Sequence, residues 1–179
     1  MNLIFIENMK FLKLISIILV FFGVFPHKNI VYGEVNNPQN YKVLAENSNT
    51  LSISNVKSYI KEGDKFIRDD DFDSAKDSYL NARKLAKQLA SFYLDLNTAF
   101  IGVDSRIPNE MQRKGKDTLQ ILAKSNERLA SLYMKNGKPD VAVPLLVEIV
   151  RIMSPNSQEG KEAYKKLIKL GFVETEYKG

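Results

Sequence analysis

Residues 59–82 read YIKEGDKFIRDDDFDSAKDSYLNA, and the fold is decided there. Tyr59, Ile60, Gly63, Phe66 and Ile67 recur at helical spacing, and so do Ala75, Tyr79 and Ala82 after the triplet Asp69, Asp70 and Asp71. Two apolar stripes of period 3.6 on either side of a short polar break predict two antiparallel helices. Small residues sit among aromatic ones: Gly63 and Ala75 let the helices approach, and Phe66 and Tyr79 fill the space this creates. The first helix is expected over residues 53–69, with Ser52 or Ser54 as its N-cap and Val56 on its inner face.

The helical pattern continues toward the C-terminus. The second helix starts near Asp73, and Ala75, Tyr79, Ala82, Ala86, Leu89, Tyr93, Leu96 and Phe100 form one stripe along it. Residues 102–107 break the pattern. Pro108 suits the first turn of a third helix, with Glu110 near the positive end of its dipole. Met111, Gly115, Leu119, Leu122, Asn126, Leu129 and Tyr133 carry the third stripe, and Gly137 is placed to end it. Pro139 opens a fourth helix with Ala142, Leu145, Leu146, Ile149 and Met153 inward, and Pro155 stops it. Ser157 caps a fifth, with Tyr164, Leu167, Ile168 and Leu170 inward and Gly171 at its end. No segment alternates with period two long enough to make a strand, so the fold class is all-α.

Residues 59–82 resemble a tetratricopeptide repeat, a helix pair of about 34 residues. Tyr59, Gly63 and Phe66 match the first helix of that family, and Ala75, Tyr79 and Ala82 match the second; Glu62 and Lys87 depart from its pattern. A second copy runs over residues 126–155, where Leu129, Ala130 and Tyr133, then Gly137, then Ala142, Leu146 and Ile149 match. Gly63 and Ala130 lie 67 residues apart, which implies a degenerate repeat between the copies, fused into the long second and third helices. The fifth helix then caps the array. The whole also resembles small repeat-bearing exported proteins of cyanobacteria and plastids, through residues 103–108 (VDSRIP) and 170–175 (LGFVET). The competing architecture is a plain helical bundle or coiled-coil hairpin, which the 4-3 spacing of the second helix also fits.

Before the helices lie a candidate export signal and a linker. Lys10 and Lys13 precede residues 14–25, apolar except for Ser16 and Gly23; Pro26 ends the run, and Val31, Tyr32 and Gly33 form a small-residue exit. Residues 1–33 thus read as a secretory signal. The apolar core is shorter than the roughly 20 residues of a spanning helix, although Phe11 and Leu12 leave an uncleaved anchor as the alternative. Residues 34–51 read as a polar linker and residues 52–179 as the helical domain. The chain has no Cys, and its single His, His27, lies in the signal, so the domain lacks both. Thiol nucleophiles, Cys- or His-ligated metals and histidine acid–base catalysis are excluded there. Removing Lys10, Lys13, Lys28 and Glu7 lowers the net charge from +5 to +3, which gives a nucleic-acid role little support.

Asp69, Asp71 and Asp73 have the spacing of early EF-hand ligands, but Ser74 stands where Gly is required and Leu80 where a bidentate Glu is required. They read as a turn and a helix start, and neither metal nor cofactor is expected. The tetratricopeptide resemblance implies a concave face lined by the first helix of each pair. It assigns Lys57, Ile60, Asp64, Ile67 and Arg68 to one copy and Lys124, Glu127, Ser131, Met134 and Lys135 to the other. Asp64 and Ser131 occupy the places of asparagines that grip a peptide carboxylate in one branch of the family. The candidate protein-binding residues are Lys57, Asp64, Arg68, Arg106, Lys124, Glu127 and Lys135, with Arg106 in the loop before the third helix. Lysines 161, 165 and 169 form a basic helix edge suited to an acidic partner or membrane surface. The function expected is a non-catalytic scaffold or assembly factor in the periplasm or thylakoid lumen, with a photosynthetic complex as client if the cyanobacterial likeness holds. The alternative is a hydrolase of envelope polymers using Asp and Glu. Processing is checked by N-terminal sequencing: the mature chain is expected to begin at or near Glu34, and an intact residue 14–25 segment in membrane-extracted protein would establish the anchor instead.

Overall fold

The structure is a computed structural model that describes residues 51–178. The signal expected over residues 1–33 lies outside the described residues, as does the linker except for Leu51. The described residues form five helices and no strand: α1 (Ile53–Arg68), α2 (Phe72–Phe100), α3 (Arg106–Lys135), α4 (Pro139–Met153) and α5 (Gln158–Lys169).

Local chemistry sets the boundaries. The Ser52 hydroxyl accepts the Asn55 N–H at 3.2 Å, the Asp71 carboxylate accepts Ser74 N–H at 3.0 Å, and the Ser157 hydroxyl accepts Gly160 N–H at 2.9 Å. Each satisfies a donor that the first helical turn leaves open. Three helices end alike. The N–H groups of Asp71, Lys138 and Phe172 reach back to the carbonyls of Phe66, Tyr133 and Leu167 at 2.9, 2.9 and 3.0 Å. The residue before each donor, Asp70, Gly137 or Gly171, has positive φ. Glycine reaches that region without a Cβ clash, and aspartate is among the few others that tolerate it. The acidic triplet is therefore one helix closing and the next being capped. Helix α3 starts at Arg106, earlier than Pro108 suggests, because the Asp104 carboxylate takes the Arg106 N–H at 2.9 Å.

Each helix packs on its neighbours in the chain, and α1 also touches α3. The core holds Val56, Ile60, Ala75, Tyr79, Ala82, Ala86, Leu89, Leu122, Leu129, Ala130, Ala142, Leu146, Ile149 and Leu167. The stripe on α2 is buried only as far as Leu89; Tyr93 and Phe100 are half-buried and Leu96 is exposed. The reason is length. Helices α2 and α3 have 29 and 30 residues, whereas α1 and α4 have 16 and 15 and leave the distal ends uncovered. Those ends form a two-helix hairpin around the turn at residues 101–105.

The long second and third helices that the sequence predicts are present as α2 and α3. Arg128 of α3 binds Asp64 of α1 directly, Nε to Oδ1 at 2.9 Å, across the α1–α3 contact. The distal parts of α2 and α3 make the hairpin.

Gly63 makes room for Tyr79 between α1 and α2: a Cβ there would lie 2.5 Å from a ring carbon of Tyr79. That ring is 1% exposed and tethered through its hydroxyl, so it has nowhere to move. Gly63→Ala is expected to cost about 1–3 kcal/mol by overpacking, outweighing its gain of about 1 kcal/mol in helix propensity. Ala75→Leu, at a fully buried contact, should cost a similar amount. Urea unfolding checks both, and an unchanged midpoint would refute the close contact.

Candidate protein-binding groove

Two clefts flank α3 and share Arg128 as their common wall. The first, of about 440 Å³, lies between α1 and α3 and is lined by Asp64, Ile67, Arg68, Arg128, Ser131 and Lys135, with Tyr79 at its floor. The second, of about 250 Å³, lies between α3 and α5 and includes Lys124, Glu127, Glu159, Glu162 and Lys166.

The α1–α3 cleft is organised around one carboxylate oxygen. Asp64 Oδ1 accepts the Tyr79 hydroxyl at 2.7 Å and Arg128 Nε at 2.9 Å. Burial, and then the neighbouring Asp64, push the Tyr79 phenol upward, so it remains a protonated donor. Asp64 is thus engaged from within. Arg68 makes no ion pair among the described residues, and Lys135 stacks on the Phe72 ring, 4.7 Å from its centroid. The cleft carries three cationic side chains against one carboxylate already in use. In the α3–α5 cleft the signs are mixed: Glu127 pairs with Lys166 at 3.0 Å, and Gln158 donates to Glu162 at 3.0 Å.

Of the residues singled out in the sequence, Asp64, Arg68 and Lys135 come together in the first cleft, and Lys124 and Glu127 lie in the second. Lys57 is exposed on α1 and lines neither. Arg106 is far along the chain from both, at the hairpin turn, where its Nε and Nη2 bind the two oxygens of Asp104 at 3.0 and 2.6 Å. Arg128 was not singled out, yet it is the residue both clefts share. Its signal was the spacing Lys124, Arg128, Ser131, Lys135, one polar ridge on α3.

A third groove, of about 350 Å³, runs along the hairpin beside the end of α4, with Tyr93, Leu94, Asn97, Met111, Leu119 and Met153 in its wall. Among the described residues no cluster of three or more His, Cys, Asp or Glu side chains is placed to hold a metal. No helix of the described residues is long and apolar enough to cross a membrane. No protein-family model, curated protein or solved structure matches this chain.

Behind the clefts lies a polar network absent from the sequence reading. Glu148 of α4 is nearly buried; its Oε2 accepts Arg83 Nη2 at 2.7 Å and Asn126 Nδ2 at 3.0 Å, and its Oε1 meets Lys87 Nζ at 2.7 Å. Arg83 Nε also donates to Asn126 Oδ1 at 2.8 Å. Burial by itself would raise the Glu148 carboxyl, but the hydrogen bonds from Lys87 and Arg83 outweigh it and hold the group below its ordinary value of 4.5. A carboxylate depressed in the folded state stabilises fully above the unfolded value and loses that contribution as pH falls through the folded one. Glu148→Gln is therefore expected to cost about 1.5–3 kcal/mol at pH 7. The gap from the parent should narrow in acid, below pH 4.5. Thermal melts of both proteins from pH 7 to pH 3 check this; a constant gap would remove Glu148 as the titrating group.

Proposed function

We propose that the chain is a non-catalytic, tetratricopeptide-like protein-binding module, a scaffold or assembly factor that takes an acidic segment of its partner in the α1–α3 cleft. The observation that carries this reading is the unbalanced charge there. Asp64 is spent on Tyr79 and Arg128, while Arg68, Lys135 and the remaining guanidinium donors of Arg128 face an open cleft. Arginine offers a planar fork of donors suited to carboxylates, and such pairs are stronger than neutral hydrogen bonds. The mixed-sign α3–α5 cleft continues the surface and gives it polarity, with a basic end at α1 and acidic groups at Glu159 and Glu162.

Export belongs to the same proposal and rests on residues 1–33: a module without Cys or catalytic His, carried outside the cytoplasm, to act by binding. The hydrolase alternative needs two carboxylates free to serve as acid and base. In the α3–α5 cleft Glu127 is committed to Lys166, which leaves Glu159 and Glu162, three residues apart on α5, as the carboxylates such a reading would need.

The test uses a fluorescein-labelled glutamate-rich peptide and fluorescence anisotropy. Arg68→Glu combined with Lys135→Glu is expected to weaken binding at least tenfold, about 1.4 kcal/mol, with the helical circular-dichroism signal retained. Binding to the parent should fall as salt rises. Equal affinity of parent and variant, or tighter capture of a lysine-rich peptide, would refute the acidic-segment reading.

A further inference from the structure

We propose that the partner's segment is extended and carries a lysine or arginine four positions from its acidic residues, and that this basic side chain is held in the α3–α5 cleft. The inference rests on the acidic-segment reading of the α1–α3 cleft and adds what the neighbouring cleft selects. That cleft has an apolar floor: Ala123, Leu146, Ile149 and Ala163 are buried at its base. Helix α4 packs against both α3 and α5 and runs back along each, so α3 and α5 are parallel. The Glu127–Lys166 pair, at 3.0 Å, joins them at the end next to Arg128. Counting back along both helices from that pair brings Ala123 and Ala163 to nearly the same level. Two alanines facing each other leave the trough open down to α4, where larger side chains would fill it.

The rim above this floor is charged. Glu159 and Glu162 lie three residues apart on one side of α5, and both are exposed. Glu159 makes no ion pair among the described residues, and Glu162 is engaged only at Oε1, by Gln158. Lys124, on the α3 rim, makes no ion pair among the described residues either, so two carboxylates face one ammonium. A lysine or arginine side chain matches this arrangement. Its aliphatic stem covers the apolar floor while its charged head stays at the rim, and its donors meet carboxylates in charge-assisted hydrogen bonds. An acidic side chain would meet Glu159 and Glu162 as like charges. Lys124 is left to a main-chain carbonyl of the segment as it passes over α3. The two clefts thus offer opposite free charge, Arg68 and Lys135 in one and Glu159 and Glu162 in the other.

Geometry sets the spacing. On α3, Ser131 lies in the middle of the wall of the first cleft and Lys124 in the middle of the wall of the second, seven residues apart. Seven residues are about 10 Å along the helix axis, and the gaps on either side of one helix are about 8–10 Å apart across it. The cleft centres are therefore about 14 Å apart, which an extended chain spans in about four residues. Side chains of an extended chain alternate, so an even count turns both residues toward the protein. A segment crossing Arg128 places its carboxylates on Arg68 and Lys135 and, four residues on, its basic side chain over Ala123 and Ala163.

Three fluorescein-labelled peptides of a serine–glycine backbone are compared by anisotropy on the full chain. All carry glutamate at two alternate positions. The first has a lysine four residues from the nearer glutamate, the second has the same lysine seven residues away, and the third has glutamine in place of the first peptide's lysine. Each is made in both sequence directions. In one direction the first peptide is expected to bind about fivefold or more tighter than the other two. Glu159→Gln combined with Glu162→Gln should erase that difference. Glu159→Lys combined with Glu162→Lys should place the first peptide below the third, with the helical circular-dichroism signal retained in both variants. Equal binding of the three peptides by the parent, in both directions, overturns the inference and leaves the acidic-segment reading standing. A preference for the first peptide that survives in the glutamine variant also overturns it. Failure of all three to bind overturns both.

Discussion

Glu148 stands in the middle of a helix that is otherwise apolar on its inner side, and its two oxygens gather Arg83 and Lys87 from α2 and Asn126 from α3. A carboxylate in that position is tolerable only when its oxygens are occupied, because an unpaired charge in low dielectric costs several kcal/mol. Every member restricts another: Arg83 also grips Asn126 Oδ1, which fixes which way the Asn126 amide points. The triangle closes only at one sliding position of α2 against α3 and α4. A one-turn slip of any of the three would strand Glu148, so the network sets register where apolar contacts alone would allow several.

With that register fixed, the position of α1 follows. Ala75, Tyr79 and Ala82 give α2 a second buried side, and Gly63 admits the Tyr79 ring. The Tyr79 hydroxyl then meets Asp64 on the far side of α1, where Arg128 arrives from α3. Two carboxylates thus divide the work, one joining α2, α3 and α4, the other joining α1, α2 and α3. Because Asp64 is consumed internally, the cleft above it is left with a surplus of positive charge. The groove's electrostatic character is a by-product of how the helices are locked together.

The five helices were legible because their signals are local. Stripes of period 3.6, Ser52 and Ser157 as caps, Gly137 and Gly171 as stops and Pro139 as a start each act within one turn. The networks were less legible because they join residues 64 and 65 positions apart, Asp64 with Arg128 and Arg83 with Glu148. Two signs of them were nevertheless present: Asn126 on an apolar stripe, and Glu148 inside the run VAVPLLVEIV of residues 141–150. A polar residue at an inward position asks for a partner. The length of α2 and α3 was legible too, in the unbroken stripes from Ala75 to Phe100 and from Met111 to Tyr133. Of the residues lining the α1–α3 cleft, Asp64, Arg68 and Lys135 were picked out by repeat position alone, whereas Arg128 required knowing which helix α1 touches.

Packing mainly between chain neighbours also has a consequence in time. Most contacts join helices that follow one another, so closing each one confines only a short loop, and topologies of this kind fold fast. The Asp64–Arg128 and Arg83–Glu148 links close the largest loops among the paired side chains and so belong late on the path. Interactions that form after the barrier leave the folding rate almost untouched and act on the unfolding rate instead. The same carboxylates that define the register therefore act as a brake on the chain's escape from its native state, setting how long each folded molecule lasts rather than how quickly it forms.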